Sequence, residues 1–433
     1  MEREPVNIFW FRRDLRTDDN AGLNEALATG EKVLPIFIFD KNILDELPKD
    51  DARVTFIMAL LENLQQELKT HRRSLAVFYG EPEDVFKKLA EKHDIRSVYA
   101  NHDYEPYAQK RDEAIREVLA GNSIKFRTFK DQVVFEKDEV VKDDGTPYVV
   151  YTPYMKRWKE KFKKEAVHQR HAKLTADNVI SHSYPFLSLQ DIGFRESDIK
   201  PVPYDVSPSL IANYENTRNF PAIDGTSRLS PYLRFGAVSI REMVKKALDS
   251  KKETFLNELI WREFFMQILW HFPETVTKSF RAKYDNVKWR YNEAEFKAWC
   301  EGKTGYPIVD AGMRQLNATG FMHNRVRMVT ASFLCKHLLI DWRRGEAYFA
   351  EKLLDYEQSS NIGNWQWASG GGVDAAPYFR IFNPAEQVKK FDKDLEYIKQ
   401  WVPEFQELNY KPVVDHKEAR ERALKVYKEA VAG

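Results

Sequence analysis

Short apolar runs and amphipathic stretches alternate through the first 130 residues. NIFWF (7–11), VLPIFIF (33–39), LAVFYG (75–80), SVYAN (97–101) and IKFRTF (124–129) are rich in Val, Ile and Phe and predict strands. Between them, TFIMALLENLQQELK (55–69) and PEDVFKKLAEKH (82–93) repeat apolar residues every three to four positions, the spacing of an amphipathic helix. Strand and helix in regular succession predict an α/β domain with a parallel, five-stranded, Rossmann-like sheet covered on both faces. No GxGxxG follows any of these strands, so a dinucleotide at the first turn has no support.

The pattern loosens over 131–205. DDGTPYVVYTPYMKRWKEKFKK (143–164) carries turn chemistry and then a basic, aromatic stretch, and the Ser- and Pro-rich run that follows reads as an interdomain connection. After Tyr204 nearly every segment has helical spacing, including SLIANYENT, TFLNELIWREFFMQILWHF, RVRMVTASFLCKHLLIDW and HKEARERALKVYKEAVA. The expected organisation is an α/β domain over 1–130, a connection over 131–205 and an all-α domain over 206–433.

Composition narrows the class. The chain has 433 residues, more than one core usually holds, and its aromatic content of 13% includes ten Trp, enough for a site that stacks rings. Cys300 and Cys335 are the only cysteines, without CxxC spacing, which argues against a disulfide framework or a zinc site. No signal-peptide pattern opens the chain and no run of about 18 apolar residues occurs, so a soluble protein of the cytoplasm, a bacterial cytosol, is expected. The net charge of +1 decides nothing about nucleic acid, because distribution matters more than the sum.

Few motifs survive on their own. GKT at 302–304 imitates a phosphate loop, but Lys297 stands where that loop needs its first glycine. His323 lies in a dense polar cluster and is best read as a capping histidine. In GTSRLSPYLRFG (225–236), Thr226, Ser227, Ser230 and Arg228 surround a helix start that suits an anion; a simple Ser/Thr N-cap is the plainer alternative. NELIWREFF (257–265) places Glu258, Trp261 and Arg262 at i, i+3 and i+4, hence on one helical face, as a ligand site or a buried ion pair. MHNRVRM (322–328) adds Asn324 and Met328 one turn apart; Arg325 suits a phosphate, and Arg327 an internal acid such as Asp355.

Taken with WFRRDLRTDDN, EGKTGYPIVDAGMRQLNATGFMHNRVRM, IDWRRGEAYF and NWQWASGGGVDAAPYFRIFNP, these segments resemble, in order and over nearly the whole chain, the photolyase/cryptochrome flavoproteins. The likeness is greatest to class I cyclobutane pyrimidine dimer photolyases. It implies an N-terminal α/β domain, a helical domain holding FAD, and light-driven repair of pyrimidine dimers in UV-damaged DNA. In the family, excited reduced flavin passes an electron to a flipped-out dimer, the cyclobutane ring splits, and the electron returns, so the enzyme is a lyase. Photolyases are a standing example of base flipping. A blue-light-sensing cryptochrome without repair activity is the alternative.

By position, the resemblance implies that Tyr214, Thr226, Ser227, Arg228, Leu229, Ser230, Phe255, Arg262, Asn324, Arg327, Asp355, Glu357 and Asn361 bind FAD. Phe255 replaces the family's usual indole. Asn361 faces flavin N5, where plant cryptochromes carry Asp, and this favours repair. Trp365, Trp342 and Trp289 form an electron relay to the surface. Glu258, expected neutral through burial, donates to a thymine carbonyl; Trp261, Trp367, Asn324 and Met328 wall the lesion pocket; Arg325 and Gln387 meet the DNA backbone, with 156–164 a weaker basic candidate. The pocket lacks the histidine pair that 6-4 photoproduct repair needs. Tyr107 and Ala108 stand where folate-binding relatives have Asn-Glu, so the resemblance implies a flavin or deazaflavin as second, antenna chromophore rather than folate, with an empty site as the alternative. No metal is implied, and a monomer is expected.

Overall fold

The computed structural model describes residues 4–165, 167–171 and 173–432. Five strands, β1 (Pro5–Phe11), β2 (Lys32–Asp40), β3 (Ala76–Gly80), β4 (Asp94–Asn101) and β5 (Lys125–Phe129), form one parallel sheet in the order β3-β2-β1-β4-β5. Helices Ala21–Ala28, Ala52–Thr70, Pro82–Lys92 and Pro106–Ala120 connect them. Because strand side chains alternate between faces, each strand feeds two cores. Phe9, Phe11, Val33, Phe37, Phe39, Val77 and Tyr99 pack on one side. Val6, Ile8, Trp10, Leu34, Ile36, Ile38, Ala76 and Val98 pack on the other. Burial on both faces is why these strands read as continuous apolar runs instead of alternating ones.

The chain divides into two compact units, and it crosses between them more often than the sequence suggests. Unit 1 takes 1–136, 161–200 and 229–246; unit 2 takes 137–160, 201–228 and 247–433. Within unit 1, the buried carboxylates of Asp19 and Asp131 draw in the later Arg241, which donates to Asp19 at 2.9 Å and to Asp131 at 2.8 Å. Within unit 2, Trp158 donates to Glu263 at 2.7 Å, which ties the Tyr151–Lys164 helix (up to residue 160) to the Thr254–His271 helix. Long-range polar pairs of this kind leave no trace in local periodicity.

Unit 2 is helical, as the spacing predicts. Its core gathers Trp299, Met313, Leu316, Val326, Phe333, Leu334, Trp342, Phe349, Ile362 and Trp365. The helix Asn324–Ser332 runs into a widened π-turn, Phe333–His337, which sequence periodicity does not reveal. Asp310 accepts from the Thr304 backbone and hydroxyl at 2.7 and 2.6 Å, so the GKT segment is a structural turn.

Candidate active site

Three short stretches of unit 2 line one cavity with an empty volume of ≈ 580 Å³, open solvent included. Asn324, Arg327 and Met328 come from the Asn324–Ser332 helix, Asp355 and Glu357 from the turn that follows the Trp342–Lys352 helix, and Asn361, Trp365 and Trp367 from the Gln358–Ser369 helix. Asn361 and Trp365 are one turn apart and so share a face. Gly345 allows the Trp365 ring to lie against the Trp342–Lys352 helix, since a Cβ there would sit 2.2 Å from the ring.

Polar contacts fix the lining. Arg327 donates to Asp355 at 2.8 Å and to the Met322 carbonyl at 2.8 Å, the internal acid anticipated from the sequence. His323 caps the Asn324–Ser332 helix by accepting from Arg325 N–H at 3.2 Å. Burial, then the Arg228, Arg325 and Arg327 guanidiniums, push its pKa down to about 4, so the imidazole is neutral. Glu357 accepts from the Ser359 and Ser360 hydroxyls at 2.5 and 3.2 Å.

Asn361 donates through Nδ2 to Glu346 Oε1 at 2.9 Å and to the Glu346 carbonyl at 3.1 Å. An amide has two N–H donors, so this leaves Oδ1 as its acceptor. Burial raises the Glu346 pKa. Trp365, which lines the cavity, has a buried Nε1 without a hydrogen-bond partner.

A second cluster gathers around the Thr254–His271 helix. Tyr214 and Phe255 pack edge to face at 5.3 Å. Gly225 lies so close to Thr217 that a Cβ would sit 2.4 Å from Thr217 Cβ, and this holds the loop bearing Thr226, Ser227 and Arg228 against the helix of Tyr214. The Ser230–Arg234 helix that follows starts at buried Leu229 without a side-chain cap, so the plain Ser/Thr N-cap reading fails. Arg262 is half-buried on the same helix as Glu258 and Trp261.

Two expectations change here. Glu258 is half-buried rather than buried, and it is ion-paired with Arg218. Trp261 has one face covered by Tyr151, stacked at 3.6 Å and 7°, so only its remaining surface can meet a base. Glu258 and Trp261 do not line the cavity of Asn361; Arg325 reaches from that side to Asn219, beside Arg218, at 2.7 Å. The Arg325 guanidinium also lies 4.4 Å over Phe391, which is on the Pro384–Phe391 helix of Gln387.

Two of the three relay candidates are fully buried and the third is partly exposed. Trp365 and Trp342 are 2% and 1% exposed, in one apolar core, and half-buried Trp289 packs against that core. Among the described residues no group of His, Cys, Asp or Glu could hold a metal ion, and no helix is long and apolar enough to cross a membrane.

Two family models match the chain. DNA photolyase covers residues 7–173, and the FAD binding domain of DNA photolyase covers 255–411, which includes every residue of the cavity. Deoxyribodipyrimidine photo-lyase of Alkalihalophilus pseudofirmus is 38% identical over 98% of each chain. The chain belongs to the DNA photolyase family. Among solved structures, it is similar to a bacterial class III photolyase from Agrobacterium tumefaciens, with a TM-score of 0.84 and 33% identity over 100% of this chain and 99% of that one. It is also similar to an archaeal photolyase from Sulfolobus tokodaii solved with two FAD molecules, with a TM-score of 0.83 and 35% identity over 98% and 100% of the two chains.

For a photolyase, sequence reasoning overlooks two residues. Glu346 holds the Asn361 amide; its signal was the i, i+4 step from Trp342. Arg218 pairs with Glu258, and its guanidinium lies 5.7 Å from the Tyr214 ring, again at i, i+4. In unit 1, Tyr107 donates to Asp40 at 2.7 Å, and Ala108 is buried.

Proposed function

We propose that this photolyase repairs cyclobutane pyrimidine dimers in DNA, with reduced FAD held at the cavity of Asn361 and the lesion walled by Trp367 and Met328. The observation that carries this is the Asn361 amide, turned by Glu346 so that its oxygen can accept from flavin N5–H. Bound, reduced and photoexcited FAD supplies an electron that opens the two carbon–carbon bonds joining the pyrimidines and then returns, with no net redox change. Arg327 and Asp355, paired at 2.8 Å, would form part of the inner polar shell around FAD. Trp365, Trp342 and Trp289 conduct electrons inward from the surface. Glu258, held by Arg218, offers its carboxyl group to a thymine of the dimer. The remaining surface of Trp261 and the ring of Trp367 meet exposed bases. Arg325 and Gln387 meet the backbone, so affinity falls with salt.

Tyr214, Phe255 and the 226–230 segment attend the adenine and phosphate end of FAD. Two unpaired cysteines suit a reducing cytoplasm. A second flavin or deazaflavin antenna in unit 1 fits better than folate, since Tyr107 and Ala108 replace an Asn-Glu pair and the Sulfolobus relative holds two FAD molecules. The test is light dependence: dimers should disappear from damaged DNA under blue or near-ultraviolet light and persist in the dark. Equal loss in both would sink the reading.

A further inference from the structure

Lys336 is 1% exposed and, among the described residues, has no carboxylate partner. Its ammonium donates to the Ser369 carbonyl at 3.0 Å and the Tyr378 carbonyl at 3.3 Å, and it lies 3.7 Å from the centre of the Tyr427 ring. Two carbonyls and one π-face use all three N–H directions. A buried cation without a counter-ion is costly, and burial lowers this one to a pKa of about 7. A methionine of similar shape would serve a core better. Local rules broken in this way cluster at functional positions.

What the ammonium touches explains its place. Ser369 is the last residue of the helix that bears Asn361, Trp365 and Trp367, and Gly370 closes it in the left-handed conformation at φ 98°. The negative end of that helix is buried and needs donors for its last carbonyls. Tyr378 lies on the far side of the 370–377 loop, and its ring stacks on Tyr427 at 6.1 Å and 6°. Lys336 therefore joins the two ends of that loop. The widened turn Phe333–His337 carries it to this position, and Lys336, Trp367, Ala376, Pro377 and Arg380 line one cleft with an empty volume of ≈ 250 Å³, open solvent included. On the opposite side, Gln366 is fastened to the carbonyls of Thr275 and Lys278 at 2.8 and 2.9 Å.

We infer that Lys336 is a positioning residue for lesion binding: it clamps the 370–377 loop to the end of the Gln358–Ser369 helix and so holds Trp367 as a fixed wall of the pocket. This rests on the reading of Trp367 as a lesion wall.

The test is Lys336→Met in the full-length flavoprotein, assayed for repair of dimer-bearing oligothymidylate, with Trp367→Ala beside it. The methionine keeps the stem and removes the clamp, so KM should rise about tenfold, or about 1.4 kcal/mol, with kcat within about twofold and an unchanged or higher melting temperature. Hydrogen exchange of the 370–378 amides should quicken. A lower melting temperature with unchanged KM would make Lys336 a structural residue and overturn the inference. If Trp367→Ala weakens binding and Lys336→Met does not, the inference alone fails. If neither does, the lesion-wall reading fails with it. Should the methionine variant not fold, Lys336→Gln, which keeps an N–H donor, is read by the same two parameters.

Discussion

Asn361 has both amide hydrogens committed to Glu346, and that commitment is what leaves its oxygen to face a flavin. Glu346→Leu should free the amide to rotate, so that reduced flavin reoxidises in air about tenfold faster, while Glu346→Gln should stay near wild type. Flavin absorbance followed after the lamp is switched off measures both. The tryptophans make a second residue-scale claim. Trp342→Phe and Trp289→Phe keep the packing of a large ring but not its ease of oxidation, so photoreduction should slow at least about tenfold with little change in melting temperature. Unchanged photoreduction would remove these residues from the relay. At this scale the sequence anticipates the Arg327–Asp355 pair but not the partners of Glu258 and Trp261. Glu258 and Trp261 are placed on one helical face correctly, yet their partners Arg218 and Tyr151 come from 40 and about 110 positions away, beyond any local pattern.

At the scale of elements, the Asn324–Ser332 helix begins on a histidine that is neutral because it is buried beside three arginines. The folded pKa of about 4 lies below the ordinary 6.5, so as pH falls the unfolded chain takes up the proton first. Stability present above pH 6.5 is therefore lost progressively down to pH 4, by about 3 kcal/mol at most for the whole interval. His337, pushed down to about 3 by burial, adds in the same sense. His323→Asn retains an N-cap and removes the titration, so its melting temperature should fall less steeply between pH 6.5 and 4 than wild type. A parallel decline would show that His323 does not titrate in this range. The strands and long helices were legible because burial on one or both faces writes itself into spacing. The widened turn that carries Lys336 was not, since one extra residue in a turn alters no apolar period.

At the scale of the whole molecule, the parallel five-stranded sheet and the helical second unit agree with the sequence, while the assignment of segments to units does not follow simple boundaries. Residues 229–246 belong with unit 1 because Arg241 completes a buried charge network there, and the local helical pattern is silent about that. In the proposed function the segment 361–384, with two tryptophans two residues apart, is a divider, with Asn361 and Trp365 on the flavin side and Trp367 on the lesion side. The most direct test is recovery of thymine absorbance when chemically reduced protein is irradiated with dimer-bearing oligothymidylate. Wild type should restore the absorbance, Trp365→Phe should do so too because the relay is bypassed, and Trp367→Ala should bind the substrate more weakly. No recovery by the reduced wild-type protein would contradict the account at its centre.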